Sequence, residues 1–470
     1  MRRPWRRTAL AALALAAAIG DAATAEAPDA QGHATSPGMV EGRPGPSDTS
    51  PLQARVDAAR EGDTVPVEAG TYTGDLFIDK AIRLVGHGRP RLIGSGHGSV
   101  VRIRAAGVTL EGFDVDGRGG GDLGRDSSGI HVAAPRATLR DCRIDRALFG
   151  IYLREADEAE VEGCFVRGIP GKDPGEKGSG IHVWNTNGFR IAGNVVVEAR
   201  DGLYIQSSTG GTIAGNTVRD VRYGIHYMFA DGNAFEDNVF ENGAAGAALM
   251  YSKKITFRRN LFLHNRGFAS VGLLFKSCDE VVAEDNLLAD NARGIFLEGS
   301  YRNTFRRNVI AGSDTALVIY DSCGGNRFEG NAFVGNMTPL TMSGKRTDTV
   351  FDGNYWSDNE EPDLDGDGRS DRSYRLSSVF DHFRGNLTAA DLMSEGPAAA
   401  AVAAAERNFP ILQAVPVEDR SPLVRPPSLP AVPSVSSGAR RFNARGFAVS
   451  ALVLGFGFAG LAAGRPRVRA

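Results

Sequence analysis

The stretch Gly180-Ile-His-Val-Trp-Asn-Thr-Asn-Gly-Phe-Arg-Ile-Ala-Gly-Asn194 is followed, 22 residues later, by Gly202-Leu-Tyr-Ile-Gln-Ser-Ser-Thr-Gly-Gly-Thr-Ile-Ala-Gly-Asn216. Both stretches open with a glycine and an apolar–polar alternation, and both end on an asparagine 14 residues after that glycine. The two landmarks keep their distance while the sequence between them varies. Such spacing indicates a repeat in which each unit is one turn of a solenoid.

The same two landmarks run through most of the chain. The asparagine recurs at spacings of 22 to 26 residues, at Asn194, Asn216, Asn238, Asn260, Asn286, Asn308, Asn331 and Asn354. Towards the amino terminus, Cys164 and Cys142 take its place. The glycine recurs at Gly150, Gly180, Gly202, Gly224, Gly246, Gly272 and Gly294. The two series stay in step, so the chain is predicted to be a solenoid with about 22 residues per coil.

The segments between these landmarks are short apolar runs of period two, separated by Gly, Asn, Asp and Ser. A coil of this length has no room for a helix of 10–15 residues, which excludes helical repeats. The pattern therefore predicts an all-β protein, a single right-handed parallel β-helix whose coils stack about 4.8 Å apart. A short helix within Pro51–Gly70 is expected to cap its first coil, and an Ala-rich helix at Leu392–Phe409 to cover its last.

Composition shifts divide the 470 residues into six segments. Residues 1–25 resemble an export signal, because four arginines precede an apolar run and a small-residue cleavage site. The other segments are a disordered linker (26–50), the β-helix (51–356), an acidic loop with a helical cap (357–412), a Pro-rich linker (413–446) and an apolar stretch (447–464). The last is predicted to anchor the protein in a membrane; the alternative is a sorting tail removed after export. The net charge of −3 argues against nucleic acid as a partner.

Four cysteines in an exported chain raise the question of disulfides. Cys142 and Cys164 are expected one coil apart, near enough to bond, whereas Cys278 and Cys323 should be two coils apart with Ser300 between them. All four are interpreted as buried residues of the stacked columns. A Cys142–Cys164 disulfide and copper ligation by Cys278 or Cys323 are the alternatives.

Strand alternation predicts which side chains face outward. The first and third residues after each glycine are apolar and should point into the coil, so the second and fourth point outward. Stacking the coils gathers the latter into an outward groove formed by His131, Tyr152, His182, Trp184, Tyr204 and Gln206, continued by His226, Met228 and Met250. An exposed aromatic and polar groove suits a polysaccharide, whereas histidine with methionine suits Cu(I).

The copper hypothesis depends on three residues of this stripe. Met228 and Met250 are 22 residues apart in the same phase, and His226 lies two residues before Met228 on the same strand face. Their side chains are therefore expected within about 5–7 Å of one another. Stacks of like side chains also arise in β-helices through packing alone, which is the alternative interpretation. The stripe offers no pair of carboxylates for hydrolysis, so a catalytic set is not predicted.

A second metal site is predicted after the last coil. Asp363, Asp365, Asp367 and Asp371 stand at positions 1, 3, 5 and 9 of a calcium loop, but Tyr374 takes position 12, where a glutamate would bind through both oxygens. A structural calcium ion of weak affinity is the prediction, with a solvated acidic turn as the alternative.

Several motifs together resemble the NosD family. They include Gly224-Ile-His-Tyr-Met228, Met250-Tyr-Ser252, Asn265-Arg-Gly-Phe-Ala269, Gly272-Leu-Leu-Phe-Lys-Ser-Cys-Asp279 and Asn354-Tyr-Trp-Ser-Asp358, and the likeness runs from about Pro51 to Pro426. The resemblance implies a non-enzymatic periplasmic protein that helps to assemble the copper–sulfide centre of nitrous oxide reductase. It also implies as partners an ABC transporter of the NosF–NosY type, a copper lipoprotein of the NosL type and the apo-reductase. The carboxy-terminal apolar stretch departs from the family. The alternative function is a β-helix that binds or modifies carbohydrate.

Overall fold

The computed structural model describes residues 41–267, 269–343, 347–376 and 417–427. The export signal (1–25), most of the first linker, the helical cover at 392–409 and the apolar stretch (447–464) lie outside these residues. Among the residues described, no helix is long and apolar enough to cross a membrane.

Three long β-sheets wind around one core, and each coil contributes one strand to each sheet. Sheet 1 has 15 strands: Thr64–Val67, Arg83–Gly86, Thr109–Glu111, Thr138–Arg140, Glu160–Glu162, Arg190–Ala192, Thr212–Ala214, Ala234–Glu236, Thr256–Arg258, Val282–Glu284, Thr304–Arg306, Arg327–Glu329, Val350–Asp352, Glu418–Asp419 and Tyr374–Arg375. Sheet 2 has 13: Thr71–Thr73, Arg91–Ile93, Asp114–Asp116, Arg143–Asp145, Phe165–Arg167, Val195–Val197, Thr217–Arg219, Val239–Glu241, Leu261–Leu263, Leu287–Ala289, Val309–Ala311, Ala332–Val334 and Tyr355–Trp356. Sheet 3 has 12: Leu76–Ile78, Val101–Ile103, Ser128–Val132, Phe149–Arg154, Ile181–Trp184, Asp201–Gln206, Tyr223–Met228, Ala245–Lys253, Val271–Asp279, Arg293–Glu298, Thr315–Tyr320 and Thr338–Ser343. The predicted all-β parallel β-helix is confirmed.

The core follows the predicted alternation. Leu203 and Ile205 are fully buried inside the coil, and phenylalanines of successive coils stack, as Phe305 and Phe328 do at 4.5 Å between ring centroids. The repeated glycine is required by close packing. A Cβ on Gly202 would lie 2.1 Å from Cγ1 of Val218, so no larger residue fits where the chain enters sheet 3.

The repeated asparagines form a continuous buried ladder. Nδ2 of Asn216 donates to Oδ1 of Asn238 at 2.9 Å and to the carbonyl of Ile191 at 2.9 Å, while its backbone N–H donates to the same Oδ1 at 2.9 Å. Each asparagine thereby satisfies backbone groups at a corner where strand pairing is interrupted. The ladder begins at Cys164, whose N–H donates to Asn194 Oδ1 at 2.8 Å.

The cysteines are buried free thiols, which confirms their interpretation as column residues. Ser300 lies between the other two cysteines as predicted, because its hydroxyl accepts from the N–H of Cys278 at 3.0 Å and the N–H of Gly324, next to Cys323, donates to its carbonyl. Burial raises the pKa of Cys278 to about 12 and also raises that of Cys323. Both therefore stay protonated, which argues against copper ligation at these positions.

At the amino end, helix α1 (Gln53–Ala58) buries Val56 against the core, as the predicted cap requires. Residues 41–50, assigned from composition to a disordered linker, instead pack on the first coils. They include a 3-10 helix at Pro46–Asp48, and Glu41 accepts from Arg102 Nε at 2.8 Å. Since Arg102 is buried, this ion pair secures the segment. Composition did not reveal the contact.

At the carboxyl end, residues 417–427, assigned to a Pro-rich linker, pack against the last coil. The strand Glu418–Asp419 pairs with Phe351 in parallel and with Tyr374–Arg375 in antiparallel fashion. The buried carboxylate of Asp419 accepts from the backbone N–H of Asn354 at 2.9 Å, from its Nδ2 at 2.9 Å and from Trp356 Nε1 at 3.2 Å. Asp419 thus takes the next place in the asparagine ladder and ends it.

Candidate functional site

A column of five rings lies on the outer face of sheet 3. His131, Tyr152, His182, Tyr204 and His226 are successive partners in the strand register. The Tyr152 and His182 rings stack at 4.3 Å between centroids, those of His182 and Tyr204 at 4.4 Å, and those of Tyr204 and His226 meet edge to face at 4.6 Å. The structure therefore brings together every ring of the predicted stripe in this column.

A parallel column two residues further along the strands contains the thioethers. Trp184, Gln206, Met228 and Met250 are successive register partners. Met228 and Met250 therefore lie side by side on neighbouring strands, on the same face as His226. The hydroxyl of Tyr204 donates to Met228 Sδ at 3.9 Å and to Gln206 Oε1 at 2.9 Å, which links the two columns.

The stripe is not the open groove that alternation predicted. His131, Tyr152, His226 and Met228 are all less than 9% exposed. Two loops between coils, which carry 3-10 helices at Leu123–Arg125 and Pro174–Glu176, help to enclose it. Alternation fixes the face on which a side chain lies, but it does not report whether a loop crosses that face.

Burial keeps two imidazoles neutral. It lowers the pKa of His131 to about 3, assisted by the charges of Arg104, Arg154 and Arg102, and lowers that of His182 to about 3, assisted by His226. Both ring nitrogens of His131 and Nδ1 of His182 are buried without a hydrogen-bond partner. A neutral imidazole with an unsatisfied nitrogen is competent as a metal ligand or as a hydrogen-bond partner for a bound molecule.

His226 is held by an ion pair that the sequence interpretation missed. Its Nδ1 lies 3.1 Å from Oδ2 of Asp201, and the same carboxylate accepts from Arg222 Nε at 2.8 Å and Nη2 at 2.7 Å. Burial alone would raise the pKa of Asp201, but the bonds from His226 and Arg222 outweigh it and lower the pKa to about 2. The only sequence signal was the Asp-Gly pair that opens this coil.

A pair of exposed aromatic rings adjoins the methionines. Phe229 and Tyr251, each directly after one methionine, stack at 5.2 Å between centroids and are 54% and 40% exposed. Both have positive φ, at 50° and 53°. Among the non-glycine residues with positive φ in the described ranges, they are the only Phe, Tyr or Trp. A strained backbone that displays apolar rings to solvent is a feature to weigh as an interaction surface.

The loops and the ring column enclose a pocket of about 330 Å³. Its lining residues are Leu123, Gly124, Asp126, Phe149, Gly175, Lys177, Gly178, Ser179, His182, Arg200, Asp201, Tyr204, Gln206 and His226. The sequence interpretation placed the insertion that contains Lys177 on the surface, but it did not predict the pocket beneath it.

The acidic loop partly assembles as predicted. One carboxylate oxygen from each of Asp363, Asp365 and Asp371 lies within 4.8 Å of the others, and Asp367 is not part of this group. The Tyr374 hydroxyl, at the twelfth position, donates to Asp358 at 2.8 Å. The geometry suits a hard cation with few protein ligands, and calcium remains a prediction.

Comparison with known proteins assigns the chain. A family model described as periplasmic copper-binding protein (NosD) matches residues 165–361. A probable ABC transporter binding protein NosD of Pseudomonas aeruginosa is 34% identical over 407 residues, which is 83% of this chain and 94% of that protein. The chain belongs to the NosD family. A NosD of Stutzerimonas stutzeri is 30% identical over 135 residues, 28% of this chain and 31% of that protein.

Solved structures share the fold of this NosD-family chain at low identity. The A-module of the Azotobacter vinelandii mannuronan C-5 epimerase AlgE6 superposes with a TM-score of 0.55 at 14% identity, over 64% of this chain and 94% of that one. An N-terminal fragment of bacteriophage Phi29 gene product 12 gives 0.50 at 12% identity, over 62% and 61%. These likenesses show the β-helix alone. The protein is a NosD-type accessory protein, of a family described as periplasmic and copper-binding, rather than a recognised enzyme.

Proposed function

We propose that this protein is a periplasmic assembly factor for the copper–sulfide centre of nitrous oxide reductase. It handles copper, or docks the reductase, beside an ABC transporter. Family membership supports this role, since the matching model describes a copper-binding protein and the Pseudomonas relative is described as an ABC transporter binding protein. The partners belong to the same proposal: a transporter of the NosF–NosY type, a copper lipoprotein of the NosL type and the apo-reductase.

The copper would be held by His226, Met228 and Met250. The observation that carries this proposal is the strand register, which sets the two methionines side by side and His226 on the same strand face. Thioether and imidazole are ligands that Cu(I) accepts. The ion is cargo, so a site with few ligands, from which copper can leave, fits the task.

Asp201 supports this assignment as a residue that orients a ligand. Metal-binding histidines commonly donate the N–H of their second nitrogen to a carboxylate, which fixes the tautomer and the ring orientation. Asp201 is placed to accept from Nδ1 of His226 at 3.1 Å. Nε2 of His226 is then the nitrogen left to bind copper.

Export by the segment 1–25 and tethering by 447–464 complete the proposal. Both would hold the β-helix on the side of the membrane where the reductase is assembled. Calcium in the acidic loop would be structural, since that loop packs at the last coil near Asp419.

A competition titration tests the copper site. Cu(I) held by a colorimetric chelator is titrated with the wild-type protein, with the Met228→Leu/Met250→Leu double variant and with Met337→Leu. Leucine keeps the volume of methionine but lacks the sulfur, and Met337 is an exposed control (68%) remote from the stripe in sequence. We expect at least a tenfold loss of affinity in the double variant and none in the control. Equal affinities in all three proteins would remove copper from this site.

Co-purification tests the docking role. The tagged protein is isolated from cells that express the genes for the transporter and the reductase. Recovery of the transporter membrane subunit supports the proposal; recovery of neither partner, with copper-replete reductase formed in the absence of this protein, contradicts it.

A further inference from the structure

The pocket of about 330 Å³ beside the ring column contains cationic groups that the copper site does not use. Its size is at the small end of the range for ligand pockets, which run from about 300 to 1,000 Å³. Its walls come from the loops at Leu123–Arg125 and Pro174–Glu176, and its floor from His182, Tyr204 and His226. An insertion that lengthens one coil therefore builds a cavity on the face where the imidazoles lie.

Two cations at the pocket lack an acidic partner among the residues described. Arg200 makes no side-chain hydrogen bond or ion pair there, and Lys177 Nζ donates only to the carbonyl of Glu198, at 3.1 Å. Most arginines on this β-helix are instead paired to a carboxylate of a neighbouring coil, as Arg259 is to Asp237 at 2.7 Å. An unpaired guanidinium and an ammonium beside one cavity leave an excess of positive charge at the site.

The acidic groups of the lining do not cancel this charge. Asp201 is already matched by Arg222 and His226. Asp126 is buried and lies 4.0 Å from Arg154, and burial raises the pKa of its carboxyl. The aromatic floor acts in the same sense, because His182 and Tyr204 stack on each other and so turn their ring edges, which are electropositive, towards other neighbours.

One buried polar atom in the lining awaits a partner. Nδ1 of His182 has none in the described residues, and an unsatisfied buried nitrogen destabilises the protein by about 1–3 kcal/mol. A bound molecule that accepts from this N–H would remove that penalty. Leu123 and Phe149 supply apolar surface beside these polar groups.

We propose that this pocket binds a small organic anion, one carboxylate on a compact and largely apolar body. Arg200 and Lys177 would be its cationic partners, and His182 Nδ1 would donate to it. The apolar body would lie against Leu123 and Phe149. This site is separate in chemistry from the thioether pair, which binds a soft cation.

Titration calorimetry of the full-length protein with benzoate as the probe, and with benzamide as its uncharged match, tests the proposal. Binding of benzoate with at least tenfold preference over benzamide is expected. Arg200→Gln should weaken benzoate binding at least tenfold and Lys177→Gln several-fold. The matched control is Arg219→Gln, whose residue pairs with the exposed Asp220 and lies outside the pocket; it should bind as the wild type does.

Three results would overturn the inference: no saturable benzoate binding up to about 10 mM, equal binding of benzamide, or unchanged binding in both Arg200→Gln and Lys177→Gln. Circular dichroism and the melting temperature verify that each variant is folded. The Cu(I) affinity of Arg200→Gln, expected to be unchanged, separates failure of this inference from failure of the copper proposal.

Discussion

Nδ1 of His226 lies 3.1 Å from Oδ2 of Asp201, although the two residues belong to neighbouring coils and are 25 positions apart in sequence. Arg222 completes the group with two bonds to the same carboxylate. The ring that would bind copper is therefore positioned by a buried charge, and that charge is balanced by an arginine which also stacks on Tyr223.

Replacing this carboxylate should destabilise the protein. Asp201→Asn leaves Arg222 beside a neutral partner, and breaking a buried pair costs about 3–5 kcal/mol. Arg222 is partly exposed, so the lower end is expected. Asp220→Asn, which removes an exposed carboxylate paired with Arg219, should cost less than about 1 kcal/mol. Chemical denaturation measures both; equal effects would show that the Asp201 pair contributes no special stability.

The stability of the protein should fall in two stages as pH decreases. The pKa values of His131 and His182 are lowered to about 3 in the folded protein, so the unfolded chain takes up their protons first. Each histidine then costs about 1.4 kcal/mol per pH unit below about 6.5, until pH 3. Thermal unfolding at pH 7 and pH 4.5 checks this. His131→Phe/His182→Phe should narrow the difference between the two temperatures, and an unchanged difference would count against buried neutral rings.

Asp201 contributes at lower pH. Its folded pKa of about 2 is below the usual 3.8, so its contribution is complete above about pH 3.8 and is lost as the pH falls through 2. The shift corresponds to about 2 kcal/mol. In Asp201→Asn this last stage should be absent, and its persistence would assign it to other carboxyls.

The asparagine ladder should tolerate cysteine better than alanine. Asn238→Ala leaves the N–H of Asn216 and the carbonyl of Ile213 without partners, at a cost of about 2–4 kcal/mol. Asn238→Cys should cost less, because Cys142 and Cys164 occupy this place in earlier coils and donate from Sγ to backbone carbonyls. Urea unfolding ranks the variants, and the reverse order would show that the side-chain volume matters more than the bonds.

The exposed ring pair should matter for transfer and little for folding. Asparagine accepts positive φ more readily than Phe or Tyr do. Phe229→Asn/Tyr251→Asn therefore loses a stacked pair worth about 1 kcal/mol but relieves backbone strain, so the melting temperature should change by only a few degrees. If these rings dock the copper donor, the rate of copper transfer from a NosL-type lipoprotein should drop at least fivefold. An unchanged rate would place the docking surface elsewhere.

Calcium should raise the stability of the acidic end. At a hundredfold excess over its dissociation constant, calcium adds about 2.7 kcal/mol to the stability of whatever unfolds with the loop. Adding a chelator should therefore lower the melting temperature of the wild type but not that of Asp365→Asn/Asp371→Asn. Asp367→Asn, outside the carboxylate group, is the control and should respond as the wild type does. A wild-type protein indifferent to chelator would favour a solvated acidic turn.

The sequence was informative wherever a property repeats once per coil. It predicted the asparagine column and the alignment of Met228 with Met250, because equal spacing forces equal places in the register. It could not predict Asp201 as the partner of His226, because Asp201 precedes the glycine and lies outside the alternating positions. Nor could it predict that His131 is buried, since that depends on loops whose course no periodicity describes.

The carboxylate of Asp419 also closes the molecule against copies of itself. A stack of parallel coils ends in unpaired backbone groups, and an open ladder of amides would be a template on which a second polypeptide could continue the stack. Asp419 engages the last amide of the ladder with an oxygen acceptor and has no donor to offer a further coil. Loss of residues 417–427 should therefore make the protein prone to polymerise end to end, and the short strand that carries Asp419 is what keeps it a discrete particle.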